Sequence, residues 1–171
     1  MNAKLIKRIF LAGLALVGLM AGQAAYAQTT NASVTVSAVV PKACRFYSSP
    51  APMVIQHGGG VIDPLSGVSA NGSSTLNYRC QTGVSPEFNI DSDAGGFASP
   101  KTVTVNLVGA VTAANLPADI TVTATGGAGT GLGAGQDKTA TISGVITQPN
   151  FSTAQADTYS KAVNIDIQAI P

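Results

Sequence analysis

The 171-residue sequence predicts an all-β protein, a sandwich of short antiparallel strands with one face of each sheet in water. Three observations point there. Apolar and polar residues alternate with period two along most of the chain, no segment carries a convincing 3.6-residue period, and Gly, Pro, Asn and Ser separate the alternating runs. Good helix formers are also scarce, Glu87 being the single Glu.

The opening residues are not part of that sandwich. Lys4, Lys7 and Arg8 precede a wholly apolar run from Ile9 to Gly22, and Ala25-Tyr26-Ala27 has the small-x-small form of a cleavage site. Residues 1–27 therefore read as a secretory signal peptide. The run is shorter than the roughly 20 residues of a membrane span, which disfavours an anchor. With Lys4, Lys7 and Arg8 removed, the mature chain carries six basic against eight acidic residues, a net charge of −2.

Ala32, Val34, Val36, Ala38 and Val40 fall on one face of the first mature segment, with Ser33, Thr35 and Ser37 on the other. Residues 75–80 place Leu76, Tyr78 and Cys80 inward. Phe88 and Ile90 mark a strand after the turn at 82–86. Val103, Val105 and Leu107 alternate with Thr102, Thr104 and Asn106, and Ile120, Val122 and Ala124 with Thr121 and Thr123. Ala140, Ile142 and Ile146 form a further run in which Gly144 reads as a bulge or kink. Tyr159 precedes a last run through Val163, Ile165, Ile167 and Ala169. Residues 46–74 are less regular, with only Met53 to Gln56 strand-like. Six glycines in residues 126–136 predict a long, mobile hairpin loop.

Composition excludes several functions. Charged residues make up 10% of the chain, against about 25% in ordinary domains, and their balance gives no basic footprint for nucleic acid. Cys44 and Cys80 both lie in the exported part, where an oxidising compartment favours a disulfide between them. A catalytic thiol would want a His and an Asn or Asp beside it, and the single His57 adjoins a glycine run.

Three motifs tempt and fail. His57-Gly58-Gly59-Gly60 matches an esterase oxyanion-hole tetrad, yet no G-x-S-x-G elbow and no second His accompany it. Gly129, Gly131 and Ala134 meet the loosest dinucleotide-binding spacing but lie between Thr-rich strands with no helix following. Asp91-Ser92-Asp93 with Gly95 resembles the start of a calcium loop that lacks its remaining ligands, the distal Glu among them. No catalytic constellation, metal site or cofactor is predicted, and the expected function is not enzymatic.

Taken together, several features resemble pilin subunits of the chaperone–usher pathway, most closely the spore coat U-like branch that builds archaic pili. They are the signal peptide, the alternating 32–40 segment, the first Cys at Cys44 and the strand Ser74-Thr75-Leu76-Asn77-Tyr78-Arg79-Cys80 ending in the second. Phe88-Asn89-Ile90-Asp91 and the Asp157-Thr158-Tyr159-Ser160 run into the last strand complete the pattern. The chain departs from it in finishing Ala169-Ile170-Pro171, where a terminal Tyr or Phe strand residue is common.

The resemblance implies an incomplete immunoglobulin-like β-sandwich over residues 41–171, completed by donor-strand exchange. Residues 28–40 would be the donor segment, with Ala32, Val34, Val36, Ala38 and Val40 filling alternate pockets of a neighbour's groove. It implies identical or related pilin subunits as partners, together with a periplasmic chaperone and an outer-membrane usher during assembly, and no contact with membrane beyond export. The expected location is the cell surface, in a pilus or coat supporting attachment and biofilm formation. Residues 32–40 could instead be the first strand of a closed domain. The alternative function is then a secreted or surface-exposed binding module, an adhesin or a carbohydrate binder.

Overall fold

The structure, a computed structural model, describes residues 34–170, so the signal peptide and Ala32 lie outside the described residues. A compact unit begins at Val40. Its strands are β1 (Cys44–Phe46), β2 (Ala70–Cys80), β3 (Ser85–Ile90), β4 (Lys101–Gly109), β5 (Asn115–Ala124), β6 (Lys138–Ile146), β7 (Tyr159–Ser160) and β8 (Ile165–Ile170). One short helix, α1 (Gln148–Ser152), lies between β6 and β7. The protein is all-β and sandwich-like, as the alternation predicts.

Six strands form one antiparallel sheet in the order β1-β2-β6-β5-β4-β7, and β3 and β8 form a second of two strands. Between them lie the inward residues that the alternation assigned: Leu76, Tyr78, Cys80, Phe88, Ile90, Val105, Ile120, Val122, Ala140 and Ile142 are all buried. Phe88 sits at the centre, its ring stacked on Phe46 at 6.4 Å and edge-on to Tyr78 at 6.1 Å. The buried Tyr78 hydroxyl donates to the Gly127 carbonyl at 2.9 Å, and burial pushes its pKa up.

The outward positions carry the hydroxyls. Thr102 faces Thr121 with their hydroxyls 2.8 Å apart, and the Thr104 hydroxyl donates to Asp119. In the β2–β6–β5 ladder Thr75 opposes Thr141, which opposes Thr123. Short β-branched alcohols suit a pleated half-exposed surface, so the sheet meets water with few charges.

Four local expectations need correction. Gly144 is neither bulge nor kink: the ladder runs regularly through Gly72, Gly144 and Ile120. A Cβ at Gly144 would meet Ile55 Cδ1 and Met53 Cε, both at 2.7 Å, so the missing side chain makes room for these two from the irregular segment. Met53 to Gln56 accordingly forms no strand; Gln56 makes a single bridge to Asn71, while Met53 and Ile55 pack against the core.

The glycine-rich loop is fastened over the end of β2. Gly83 N–H donates to Gly129 O, Gly129 N–H to Val84 O and Gly131 N–H to Cys80 O, at 2.9, 2.8 and 3.0 Å. A Cβ at Gly129 would run into the Cys80 and Gln81 carbonyls, so the close approach requires glycine there. From the outside, Arg79 pairs with Asp137 at 2.6 Å and stacks 3.6 Å over the Tyr47 ring, whose hydroxyl donates to Leu132 O. Finally, α1 was not foreseen; Pro lies in its first turn and Phe151 anchors it in the core, edge-on to His57 at 5.1 Å.

The tempting motifs resolve structurally. His57 Nε2 lies 2.8 Å from Val68 O and its Nδ1 accepts from Asp63 N–H at 3.0 Å, so both ring nitrogens are spent holding the 57–68 loop. Asp93 accepts from Lys101 and Asp91 from Lys161, each at 2.7 Å, so lysines occupy both carboxylates of the calcium-like turn.

Asp157 organises the turn after β4. Its carboxylate accepts from the Val111, Thr112 and Thr158 N–H groups and from the Thr112 hydroxyl. Those donors, the Thr112 N–H first, hold its pKa at about 2, below the ordinary 3.8. As pH falls, the unfolded chain therefore takes up the proton before the folded one. The stability this carboxylate supplies is whole above the ordinary carboxyl value and is lost as pH falls through about 2. Thermal melts of the native chain and of Asp157→Ala are expected to differ at neutral pH and to converge near pH 2; a constant gap across that range would contradict the assignment.

Candidate assembly site

β1 is one edge of the six-stranded sheet, with β7 the other, and β8 is one of the two strands of the second sheet; β1 and β8 approach each other without hydrogen-bonding. β1 has three residues, but it is not a frayed end. It pairs with β2 in the register Cys44↔Cys80, Arg45↔Arg79 and Phe46↔Tyr78, and the predicted Cys44–Cys80 disulfide is formed. Ala43 N–H donates to the Gln81 side chain, and Tyr47 N–H to Asn77 O, extending the attachment at both ends.

β8 is held on one side only. Its register with β3 runs from Ser85↔Ile170 to Ile90↔Ile165, and among the described residues its other edge has no strand partner. Just ahead of it, Asp91 N–H donates to Asn164 O and Asn164 N–H donates back to the Asp91 carboxylate, both at 2.8 Å. The Lys161 ammonium beside Asp91 and the Asn164 N–H together hold that carboxyl below its usual range. Asp91 itself takes a positive φ of 50°, a conformation Asp tolerates better than most residues. This clamp fixes where β8 begins.

Coverage of the inner faces differs between the two strands. Phe88 and Ile90 of β3 are fully buried, at 0% exposure each. Ile165, Ile167 and Ala169 of β8 point the same way yet remain only half-buried. Half-covered aliphatic side chains thus stand beside an unpaired strand edge.

Four of the five residues expected to form the donor face lie among the described residues. Val34, Val36 and Val40 are 82, 88 and 73% exposed, Ala38 is exposed, and none of them belongs to a strand. Val39, on the opposite face, is exposed as well. Three features of the site escaped the sequence reading: the Asp91–Asn164 clamp, the Lys101–Asp93 pair, and the Arg79–Tyr47 stack. Each joins residues from different elements and leaves no periodic trace. No protein-family model matches this chain, and neither any curated protein nor any solved structure does.

Proposed function

We propose that this chain is a structural subunit of a surface pilus or fibrous coat, exported through the periplasm and polymerised by donation of its N-terminal segment into the open groove of a neighbour. The observation that carries the reading is the open edge of β8 with half-buried Ile165, Ile167 and Ala169, in a chain that also has an exposed apolar segment, assigned to no strand, at Val34, Val36, Ala38 and Val40. Donated main chain would supply the missing hydrogen bonds while alternate side chains fill the gap over β8. Until a neighbour arrives, such an edge is an aggregation site. A periplasmic chaperone covering it, and an outer-membrane usher passing the subunit on, are the partners this reading calls for. The finished fibre would support attachment and biofilm formation. The incomplete immunoglobulin-like architecture belongs to the same proposal.

Deleting residues 29–40 tests it. The shortened subunit is expected to fold with its chaperone, leave no fibres on the cell surface in electron micrographs, and lose the boil-resistant ladder on a denaturing gel. Normal fibres from the shortened chain would overturn the reading.

A further inference from the structure

The six-stranded sheet has an open edge of its own, at the end away from β1. β7 is its terminal strand there, yet β7 pairs with β4 only at Val108 and Gly109. The hydrogen bonds at the end of β4 fix what the rest of that strand presents. Gly109 N–H donates to Ala114 O and Ala110 N–H to Thr158 O. Residues alternate in the side to which they bond, so the registers with β5 and β7 turn the odd-numbered residues of β4 to β5 and the even-numbered ones to the β7 side. Ser160 pairs with Val108, which leaves the N–H and C=O groups of Thr102, Thr104 and Asn106 without a backbone partner among the described residues.

Native sheets guard such an edge with Lys, Pro or a bulge. Residues 102–106, Thr-Val-Thr-Val-Asn, hold none of these, and their register with β5 is unbroken. Thr102, Thr104 and Asn106 are exposed and uncharged on the outer face, while Val103, only half-buried, lies on the inner face beside buried Val105. The window has two stops. Ser160 closes it at Val108, and Pro100, just ahead of the strand, has no N–H to extend a ladder.

We propose that this edge pairs with the same edge of a second copy of the chain, β4 against β4, antiparallel about a two-fold axis at Thr104. The segment is nearly palindromic. That axis sets Thr104 against Thr104, Thr102 against Asn106 and Val103 against Val105, so polar meets polar on the outer face and valine meets valine on the inner one. Even-numbered residues then oppose even-numbered ones, and two groups on each of three residues in both copies close into six N–H···O=C bonds. A slip of one residue would set even against odd and lose them all. A slip of two would set one of the three residues against Pro100, or against Val108, already bonded to Ser160. Charge does not oppose the contact. Asp119 takes the Thr104 hydroxyl, and the two Asp119 carboxylates would stand three strand spacings apart, about 14 Å, beyond the roughly 8 Å Debye length at physiological salt. So short an edge buries much less than the roughly 800 Å² per partner of a stable interface, so one contact is weak and its effect comes from repetition, as between chains of subunits lying side by side. The pairing uses a different edge from strand donation and does not rest on it; it is isologous and closes at two copies.

Cysteine substitution in the full mature chain tests it. Thr104→Cys sets two thiols directly opposite each other, where Cα atoms about 5.5 Å apart lie within disulfide range, whereas the two copies of Thr102→Cys stand four residues out of register, about 13 Å along the strands. Under mild oxidation Thr104→Cys is expected to cross-link roughly ten-fold more than Thr102→Cys, with peptide mass mapping placing the link between the two copies of residue 104. Thr102→Cys/Asn106→Cys is expected to cross-link as readily as Thr104→Cys. Adding Thr104→Lys to that double variant sets two ammonium groups at the axis and is expected to abolish the link in a chain that melts as before. Equal cross-linking of Thr102→Cys and Thr104→Cys, or a link that Thr104→Lys leaves intact, would overturn the inference. A boil-resistant ladder without the 104–104 link would overturn it too, and leave strand donation standing. The link in a chain that forms no ladder supports edge pairing and sinks strand donation.

Discussion

A chain carrying Cys44→Ser and Cys80→Ser is expected to lose about 4 kcal/mol of stability, the loop-closure entropy that a cross-link spanning 36 residues removes from the unfolded state. That is a large part of the 5–15 kcal/mol typical of a domain, and it corresponds to a fall in thermal midpoint of about 10 °C or more. The loss concentrates on β1. With three residues, that strand has few ladder bonds of its own, and the disulfide fixes its register through Cys44↔Cys80. When β1 lifts, Phe46 leaves its stack on Phe88. Chemical denaturation of the reduced and oxidised native chain measures the same difference without mutation, and equal midpoints would contradict it.

Phe88→Ala is expected to cost about 3–5 kcal/mol, the range for emptying a fully buried aromatic site. Phe88 has no exposed surface and joins the rings of Phe46 and Tyr78, thereby linking β1, β2 and β3 across the two sheets. Phe88→Leu, which keeps most of the volume, is expected to cost less than half as much. Should both variants melt with the native chain, the placement of Phe88 at the centre of the sandwich would be wrong.

The strands were legible because a half-buried sheet imprints period two on the residues it needs. Val103, Val105 and Leu107 against Thr102, Thr104 and Asn106 place β4, and the Thr rows of β5 and β6 do the same. Lys101 shows the limit of that signal. It occupies an inward position of β4 and is buried at 6% exposure, tolerated because Asp93 accepts from its ammonium at 2.7 Å. The pair joins a strand to the turn after β3, and no periodicity records such a partnership. The glycine pattern misled for a related reason. Six glycines in residues 126–136 suggest freedom, yet at Gly129 the absent side chain is what lets the loop backbone lie against Cys80 and Gln81. Gly144 likewise marks a cavity filled from elsewhere, by Met53 and Ile55. For the candidate site, the disulfide and the alternating 34–40 segment were readable from residues alone. The open edge of β8 leaves no mark in the residues, because pairing on one side or on both gives the same alternation in Ile165, Ile167 and Ala169.

The bond between Cys44 and Cys80 also decides how the domain bears a load. A pull on the chain ahead of Cys44 would otherwise peel β1 from β2 one hydrogen bond after another, the weakest way to strain a short antiparallel pair. The covalent tie passes the force directly to Cys80 at the end of β2, an eleven-residue strand paired with β6 from Ala70 to Tyr78. The load then bypasses β1 and falls on that longer ladder, so a three-residue strand becomes a mechanical anchor.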